Sequence, residues 1–234
     1  MKKIVVTLIL NILVSSMYCQ TNDSIAVKLT EELDKIYTRR HINGFSVAIV
    51  NQDGTLYEKG FGYSNIKANK KYTNNTIQNI ASISKTFIGI ALLKAQEIGK
   101  LNLDDPINKH LSFNVNNPYF PNEQITIRQL ATHTSSIKDP SRYEKNGYIL
   151  KENDNGVAKV NSNFRSPDEK LVLGEFLRSI LSTEGKWYKK KNFLKTKPGE
   201  IFEYSNVAAG LAALVIEKAT NQPFNEFTNE HILT

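Results

Sequence analysis

Apolar positions along this chain alternate in some stretches, recur at helical spacing in others, and leave polar gaps between. Val27, Leu29, Leu33, Ile36 and Tyr37 recur at helical spacing behind Asp23 or Ser24 as a cap, and Arg39-Arg40-His41 closes the run with basic residues. Phe45 to Val50 reads as a strand, Asn51 to Gly54 as a turn and Thr55 to Tyr63 as a returning strand. This β-hairpin requires a sheet to join. Residues 64–75 are polar and suit a surface connection. From Ser82 to Gly99 a helix is predicted, with Phe87, Ile88, Ala91, Leu92, Ala95 and Ile98 forming a broad apolar face turned to the core. Leu101 to Pro106 leads through a turn to another short helix, and Thr126 to Thr132 predicts a third. Residues 138–170 are too polar and irregular to assign, whereas Leu171 to Leu181 predicts a helix. Lys197-Pro198-Gly199 makes a turn, Ile201 to Tyr204 is extended, and Asn206 is the expected N-cap of a helix from Val207 to Ala219.

Length and composition add that a chain of 234 residues can bury a sizeable core and has the make-up of a globular protein. The first twenty residues read as a secretory signal: Lys2 and Lys3 are followed by an apolar run from Ile4 to Val14, too short to span a bilayer. The expected location is therefore periplasmic or secreted, with Ser16, Cys19 and Gln20 all open as the last signal residue. Cys19 is the single cysteine, which leaves neither a disulfide nor a cysteine metal site after cleavage. The preceding Ser-Met-Tyr matches a lipoprotein signal poorly. The formal charge of +7 suits anionic surfaces or substrates. Much of it comes from Lys186, Lys189, Lys190, Lys191, Lys195 and Lys197, interleaved with Trp187, Tyr188 and Phe193. Such mixing can grip nucleic acid. With no nucleic-acid module in the chain, it reads as a solvated loop, with a place at the mouth of a cleft as the alternative.

Ala81-Ser82-Ile83-Ser84-Lys85 places a hydroxyl and an amine three residues apart at the start of an apolar helix. A serine hydroxyl is a poor nucleophile until a base takes its proton, and a lysine serves as that base where its surroundings lower its pKa. Ser64 to Lys67 and Ser135 to Lys138 repeat the interval, but neither pair opens an apolar helix. Gly44-Phe45-Ser46-Val47-Ala48 imitates a nucleophile elbow, yet Ser46 sits within a strand that turns back as a hairpin. His41, His110, His133 and His231 lack ligand-like spacing, so no metal site is expected.

Four motifs occur in a set order: Ser82-Ile83-Ser84-Lys85-Thr86-Phe87, Gly99 to Pro106, Ile125 to Ser135 with its Thr132-His133-Thr134-Ser135, and Pro198-Gly199-Glu200-Ile201-Phe202-Glu203-Tyr204-Ser205-Asn206. Together they resemble the serine β-lactamase and penicillin-binding superfamily, in its class C β-lactamase-like branch, from residue 44 to the end. The resemblance implies an α+β, β-lactamase/transpeptidase-like fold. An antiparallel sheet lobe over residues 21–81 would be packed with helices, and residues 82–234 would form a mostly helical lobe. It implies a serine hydrolase that forms an acyl-enzyme on a β-lactam, a D-amino-acid peptide or an ester, without a cofactor. Ser82 would attack, Lys85 would accept or relay the proton, and Tyr204 would assist proton transfer to the leaving group. Asn206 would orient Lys85 or the substrate, and the Ser82 backbone N–H would supply half of an oxyanion hole. The nucleophile would sit in a dry pocket roofed by Tyr204.

The chain departs from the family pattern twice. Ser136 stands where the family usually has Gly, a change expected to alter a turn and leave the chemistry alone. The third motif, Lys-Thr-Gly or His-x-Gly on a late strand, does not occur before Thr234. That points to a truncated reading of a longer protein or a degenerate copy, with C-terminal strands missing. The alternative function is accordingly a non-catalytic ligand-binding relative or an inactive fragment. The expected partner is a small-molecule or peptide substrate, with no nucleic acid and no stable membrane span, and the oligomeric state is open.

Overall fold

The computed structural model describes residues 24–39, 42–149 and 165–233. The expected signal, Cys19, the Arg40-His41 end of the first helix and residues 150–164 of the unassigned polar stretch lie outside them. No helix of the described residues is long and apolar enough to cross a membrane. The chain divides into two compact units, residues 1–79 and 80–234.

In the first unit, α1 (residues 24–38) precedes a three-stranded antiparallel sheet of β1 (Gly44–Asn51), β2 (Gly54–Asn65) and the short β3 (Lys70–Lys71), in the order β1-β2-β3. The register runs from Gly44 opposite Gly62 to Asn51 opposite Gly54, with a bulge between Ile49 and Val50. The hairpin is thus as expected, and the short β3 adds a third strand. Phe45 and Phe61 stack with ring centroids 4.9 Å apart, and Phe61 is buried. Helix and sheet meet at Gly62, where φ is +71° and a Cβ would collide with the Tyr37 ring and the Asn43 carbonyl. Only glycine fits both demands. Thr30 Oγ1 lies 2.9 Å from Tyr57 Oη across the same contact. Val50 and Leu56 remain exposed.

The second unit is built around α6 (Asn206–Thr220). Nine of its residues from Val207 to Ile216 are buried, so it is apolar on nearly every side, as a central helix must be. It packs against α2 (Ser84–Glu97), α3 (Ile127–Ala131), α5 (Leu173–Leu181) and α7 (Phe224–His231). Ala91 and Ala95 of α2 and Ala208 and Ala212 of α6 are all buried, and such small residues let helix backbones approach closely. Each fully buried Leu or Ile at this centre, such as Leu92, Leu177, Leu211 or Ile216, contributes roughly 1.5–3 kcal/mol. A short α4 (Ser141–Asn146) completes the set. Thr126 caps α3 in a full capping box with Gln129, which explains why that helix was readable from sequence.

Two boundaries differ from expectation. Ser82 lies in a separate 3-10 turn, Ala81–Ile83, and the α-helix begins at Ser84. Ala81 has φ +51°, which breaks the helical path just before the serine. The N-cap of α6 is Ser205: its Oγ accepts from Ala208 N at 3.0 Å, and Asn206 is the first helical residue. The basic loop is also better held than a solvated loop would be. Phe193 and Asn192 are buried, Trp187 N donates to Ser179 O at 2.8 Å, and Ile137 and Phe193 form an antiparallel bridge.

Ser136 is buried and left-handed, with φ +64°, a conformation that suits the glycine the family places there. Its Oγ accepts from Asn117 Nδ2 at 2.9 Å. The same nitrogen also donates to Leu194 O and Thr196 O, at 2.9 and 3.1 Å, so it keeps acceptors without Ser136. A side chain in this backbone region costs about 1–2 kcal/mol, and one neutral hydrogen bond returns about 1 kcal/mol. Ser136→Gly exchanges strain for a lost bond and for backbone entropy, and is expected within about 0.5 kcal/mol of the parent. Ser136→Ala loses the bond and keeps the strain, and is expected to fall by about 1 kcal/mol in urea unfolding. Equal stability of the two variants would contradict this account of the turn.

Candidate active site

The extended stretch before α6 is laid along the loop that follows α3. Gly199 N donates to Thr134 O at 2.7 Å, Glu203 N to His133 O at 2.8 Å, and Ser205 N to His133 Nδ1 at 3.3 Å. Gly199, at φ +99°, makes the turn into this stretch. Packing of α2 on α6 then brings the 3-10 turn of Ser82 to the end of the same stretch.

The result is a hydroxyl between two partners. Lys85 Nζ donates to Ser82 Oγ at 3.0 Å, and Tyr204 Oη lies 3.1 Å from the same oxygen. Lys85 Nζ also sits 5.1 Å from the Tyr204 ring centroid. The Lys85 ammonium, as a hydrogen-bond donor, and secondarily the Ser82 hydroxyl, hold the Tyr204 phenol below its ordinary range. Partial burial and the Asp139 charge oppose them.

Asn206 is reached through its Oδ1, which lies 3.5 Å from Tyr204 Oη, at the outer limit of a hydrogen bond. Its Nδ2 donates to Asp139 Oδ2 at 2.7 Å. Among the described residues no hydrogen bond joins Asn206 to Lys85, one of its two expected partners beside the substrate, and its amide oxygen faces Tyr204. The other two serine-lysine intervals are structural: Ser64 Oγ donates to the carbonyls of Lys70 and Lys71, and buried Ser135 accepts from Ile137 N at 3.4 Å.

Two residues at the site were not singled out from the sequence. The Asp139 carboxylate takes four hydrogen bonds from one short segment: Ser205 Oγ at 2.8 Å, Asn206 N at 2.9 Å, Asn206 Nδ2 at 2.7 Å and Val207 N at 2.9 Å. A carboxylate at the first turn of a 15-residue helix also meets the favourable end of its dipole. The available signal was an Asp-Pro pair following the Thr-His-Thr-Ser motif. His133, at φ +56°, tilts against Tyr204 with centroids 4.7 Å apart. Because Nδ1 accepts from Ser205 N, the imidazole is neutral with its proton on Nε2. Burial first, and then the Lys85 charge, lower its pKa, while Asp139 opposes them.

The surroundings differ from a dry pocket. Ser82 is exposed and Tyr204 is 46% exposed. The Ser82 N–H, expected to face an oxyanion, donates to Ile80 O at 2.7 Å across the left-handed Ala81, a tight γ-type turn. Among the described residues no cluster of His, Cys, Asp and Glu is arranged to hold a metal ion.

Comparison with known proteins gives this constellation its relatives. The chain is 33% identical over 217 residues to Protein flp of Staphylococcus aureus (strain MW2), covering 91% of this chain and 37% of that protein. It thus spans about 37% of the length of that curated relative. An octameric penicillin-binding protein homologue from Pyrococcus abyssi is 27% identical with a TM-score of 0.58, over 88% of this chain and 42% of that one. A β-lactamase/D-alanine carboxypeptidase from Pseudomonas syringae has a TM-score of 0.58 over 91% of this chain and 48% of that one. At 20% identity it shares the fold alone. The Beta-lactamase family profile matches residues 26–234, a span that takes in the sheet, the central helix and Ser82, Lys85, Tyr204 and Asn206, and the chain belongs to that family of serine hydrolases.

Proposed function

We propose that this chain carries the acyl-transfer centre of an exported serine hydrolase of the class C β-lactamase-like type. Its substrates would be amide or ester carbonyls, whether of a β-lactam, a D-amino-acid peptide or a simple ester. The observation that carries the reading is the approach of Lys85 Nζ and Tyr204 Oη to one oxygen, Ser82 Oγ, at 3.0 and 3.1 Å.

With the lysine ammonium donating to Oγ, the serine proton lies toward Tyr204 Oη. The Tyr204 phenolate, favoured by that ammonium, takes up the proton as Oγ bonds to the carbonyl carbon. The tetrahedral oxyanion then collapses, and the leaving amine or alcohol departs with the proton from Tyr204. Water attacks the acyl-serine next as Tyr204 takes its proton, and collapse of that intermediate returns the proton from Tyr204 to Ser82 Oγ, releasing the acid and restoring the phenolate. Asp139 touches none of the reacting atoms in this scheme and acts as a positioning residue through Asn206.

A second reading, ligand binding without turnover, is favoured by the exposure of Ser82 and by its N–H being engaged on Ile80 O. Fluorophosphonate and penicillin probes separate the two. Hydrolysis predicts covalent labelling that Ser82→Ala abolishes, with turnover of a simple ester by the parent. A folded parent that neither labels nor turns over would favour the second reading.

The lowered phenol pKa fixes the sign of the pH dependence. Labelling should rise with pH as Tyr204 loses its proton and level off below the ordinary phenol value of about 10. Tyr204→Phe should remove this limb and slow labelling by about 100-fold or more. Lys85→Met removes the cation that favours phenolate and should move the limb to higher pH. A pH profile unchanged in both variants would exclude Tyr204 as the base.

Asp139→Asn gives a separate check, read from labelling rate against pH. The substitution removes a negative charge that raises the Tyr204 pKa, so the limb should move to lower pH. It also converts one acceptor oxygen to a donor facing N–H groups, so the plateau rate should drop by about tenfold. A merely structural role would lower the plateau and leave the limb where it was.

A further inference from the structure

Beside the site, with Asp139 in its lining, lies a cavity of about 280 Å3. Its walls carry Lys138, Arg142, Lys189 and Lys191, with Trp187 and Asn192 also lining it. We propose that this cavity is an oxyanion-binding site, for a phosphate or carboxylate group.

The first argument is charge. Four cationic residues line one concavity, and among the described residues none of them makes an ion pair. Among the described residues the one carboxylate of the lining is Asp139, and both its oxygens are already taken by Ser205, Asn206 and Val207. It therefore has little left to offer the lysines. A concave wall of one sign focuses its field and concentrates the opposite ion. Lysine supplies point charge and arginine a planar fork, and both suit phosphate or carboxylate oxygens.

The second argument is rigidity. Lysines on a loose surface loop are dispersed by their own repulsion, but these are carried on clamped backbone. Lys138 N donates to Asn192 O at 2.8 Å, and Leu194 N to Ser136 O at 2.8 Å, on either side of the Ile137–Phe193 bridge. Buried Asn192 ties the loop down further, donating through Nδ2 to Ile180 O at 2.9 Å and Trp187 O at 3.3 Å. The two arms that present the cations are thereby held in register, so an anion would meet a formed site. The assignment rests on no step of acyl transfer, and an anionic substrate group or a separate anion would satisfy the same chemistry.

Trp187 is the single tryptophan of the chain and lines both this cavity and a neighbouring one with Arg165 and Lys186, so the fluorescence response is assigned by variants of Lys189 and Lys191, which line this cavity and not the other. The full chain is titrated with inorganic phosphate and, separately, with acetate, at ionic strength held constant with sodium chloride. A saturable change is expected with at least one of them. Stronger binding of phosphate would identify a phosphate-bearing ligand, and stronger binding of acetate a carboxylate. Lys189→Glu combined with Lys191→Glu should weaken the response by about tenfold or more, while Lys170→Glu, an exposed lysine outside the cavity, should not. Both lysines of the double variant are exposed, and unchanged thermal unfolding would verify its fold. Ser82→Ala should bind phosphate as the parent does, which keeps this test independent of the hydrolase reading. No saturable change with either anion, or equal affinity in the double variant, would overturn the proposal.

Discussion

The arrangement around Ser82 depends on where the Asp139 charge is spent. A carboxylate brought beneath the first turn of α6 could seek a lysine, and Lys138 is its neighbour in sequence. Instead both oxygens are filled by four donors from Ser205, Asn206 and Val207, two of them backbone N–H groups at the start of the helix. Those N–H groups have no partner within the helix, so one side chain answers a deficit built into every helix start. Because Ser205 Oγ both donates to Asp139 and accepts from Ala208 N, the cap and the carboxylate form one unit. Tyr204 immediately precedes that unit, and its position over Ser82 follows from it.

The site is thus assembled by two constraints of different kinds. Apolar burial sets the approach of α2 to α6, which is coarse: it decides that the turn of Ser82 reaches the end of the 199–205 stretch. Polar contacts set the fine placement. His133 contributes its carbonyl to Glu203 N and its Nδ1 to Ser205 N, so the loop after α3 holds the stretch on both sides of Tyr204. That loop can do so because His133 and Ser136 both take left-handed backbone, which folds the chain back sharply within four residues. The cost of those conformations is met locally, at Ser136 by the bond from Asn117.

What the sequence disclosed, and what it hid, follows the same division. The hairpin was legible because alternation and an Asn-Gln-Asp-Gly turn are local signals, and α3 was legible because its capping box spans only Thr126 to Gln129. Ser82 and Lys85 were legible because three residues of spacing suffice to bring them together. Asp139 was not, since its partners lie 66 to 68 residues away and no short pattern encodes them. The same contact explains the misplaced cap: Asn206 is an equally good cap residue by type, but its amide is drawn to Asp139, and the role falls to Ser205. The 3-10 turn at Ser82 escaped notice because Ala81 is an ordinary helix former whose left-handed φ is imposed by tertiary structure.

Exposure at Ser82 bears on chemistry through the pairing of Lys85 with Tyr204. The phenol is made acidic here by the hydrogen bond from Lys85 first and that from Ser82 second, against the partial burial that raises it. Such a shift survives in an open site, although solvent weakens it, because a hydrogen-bonded donor at short range is screened less than a distant charge. Stabilising an oxyanion is more demanding, for it requires donors aimed at the developing charge where water is excluded. The Ser82 N–H is engaged on Ile80 O, across a residue held at φ +51°. A γ-type turn of this hand is a strained conformation. The side chains around Ser82 Oγ are therefore already in contact, whereas the Ser82 N–H is engaged on Ile80 O and is not aimed at an oxyanion.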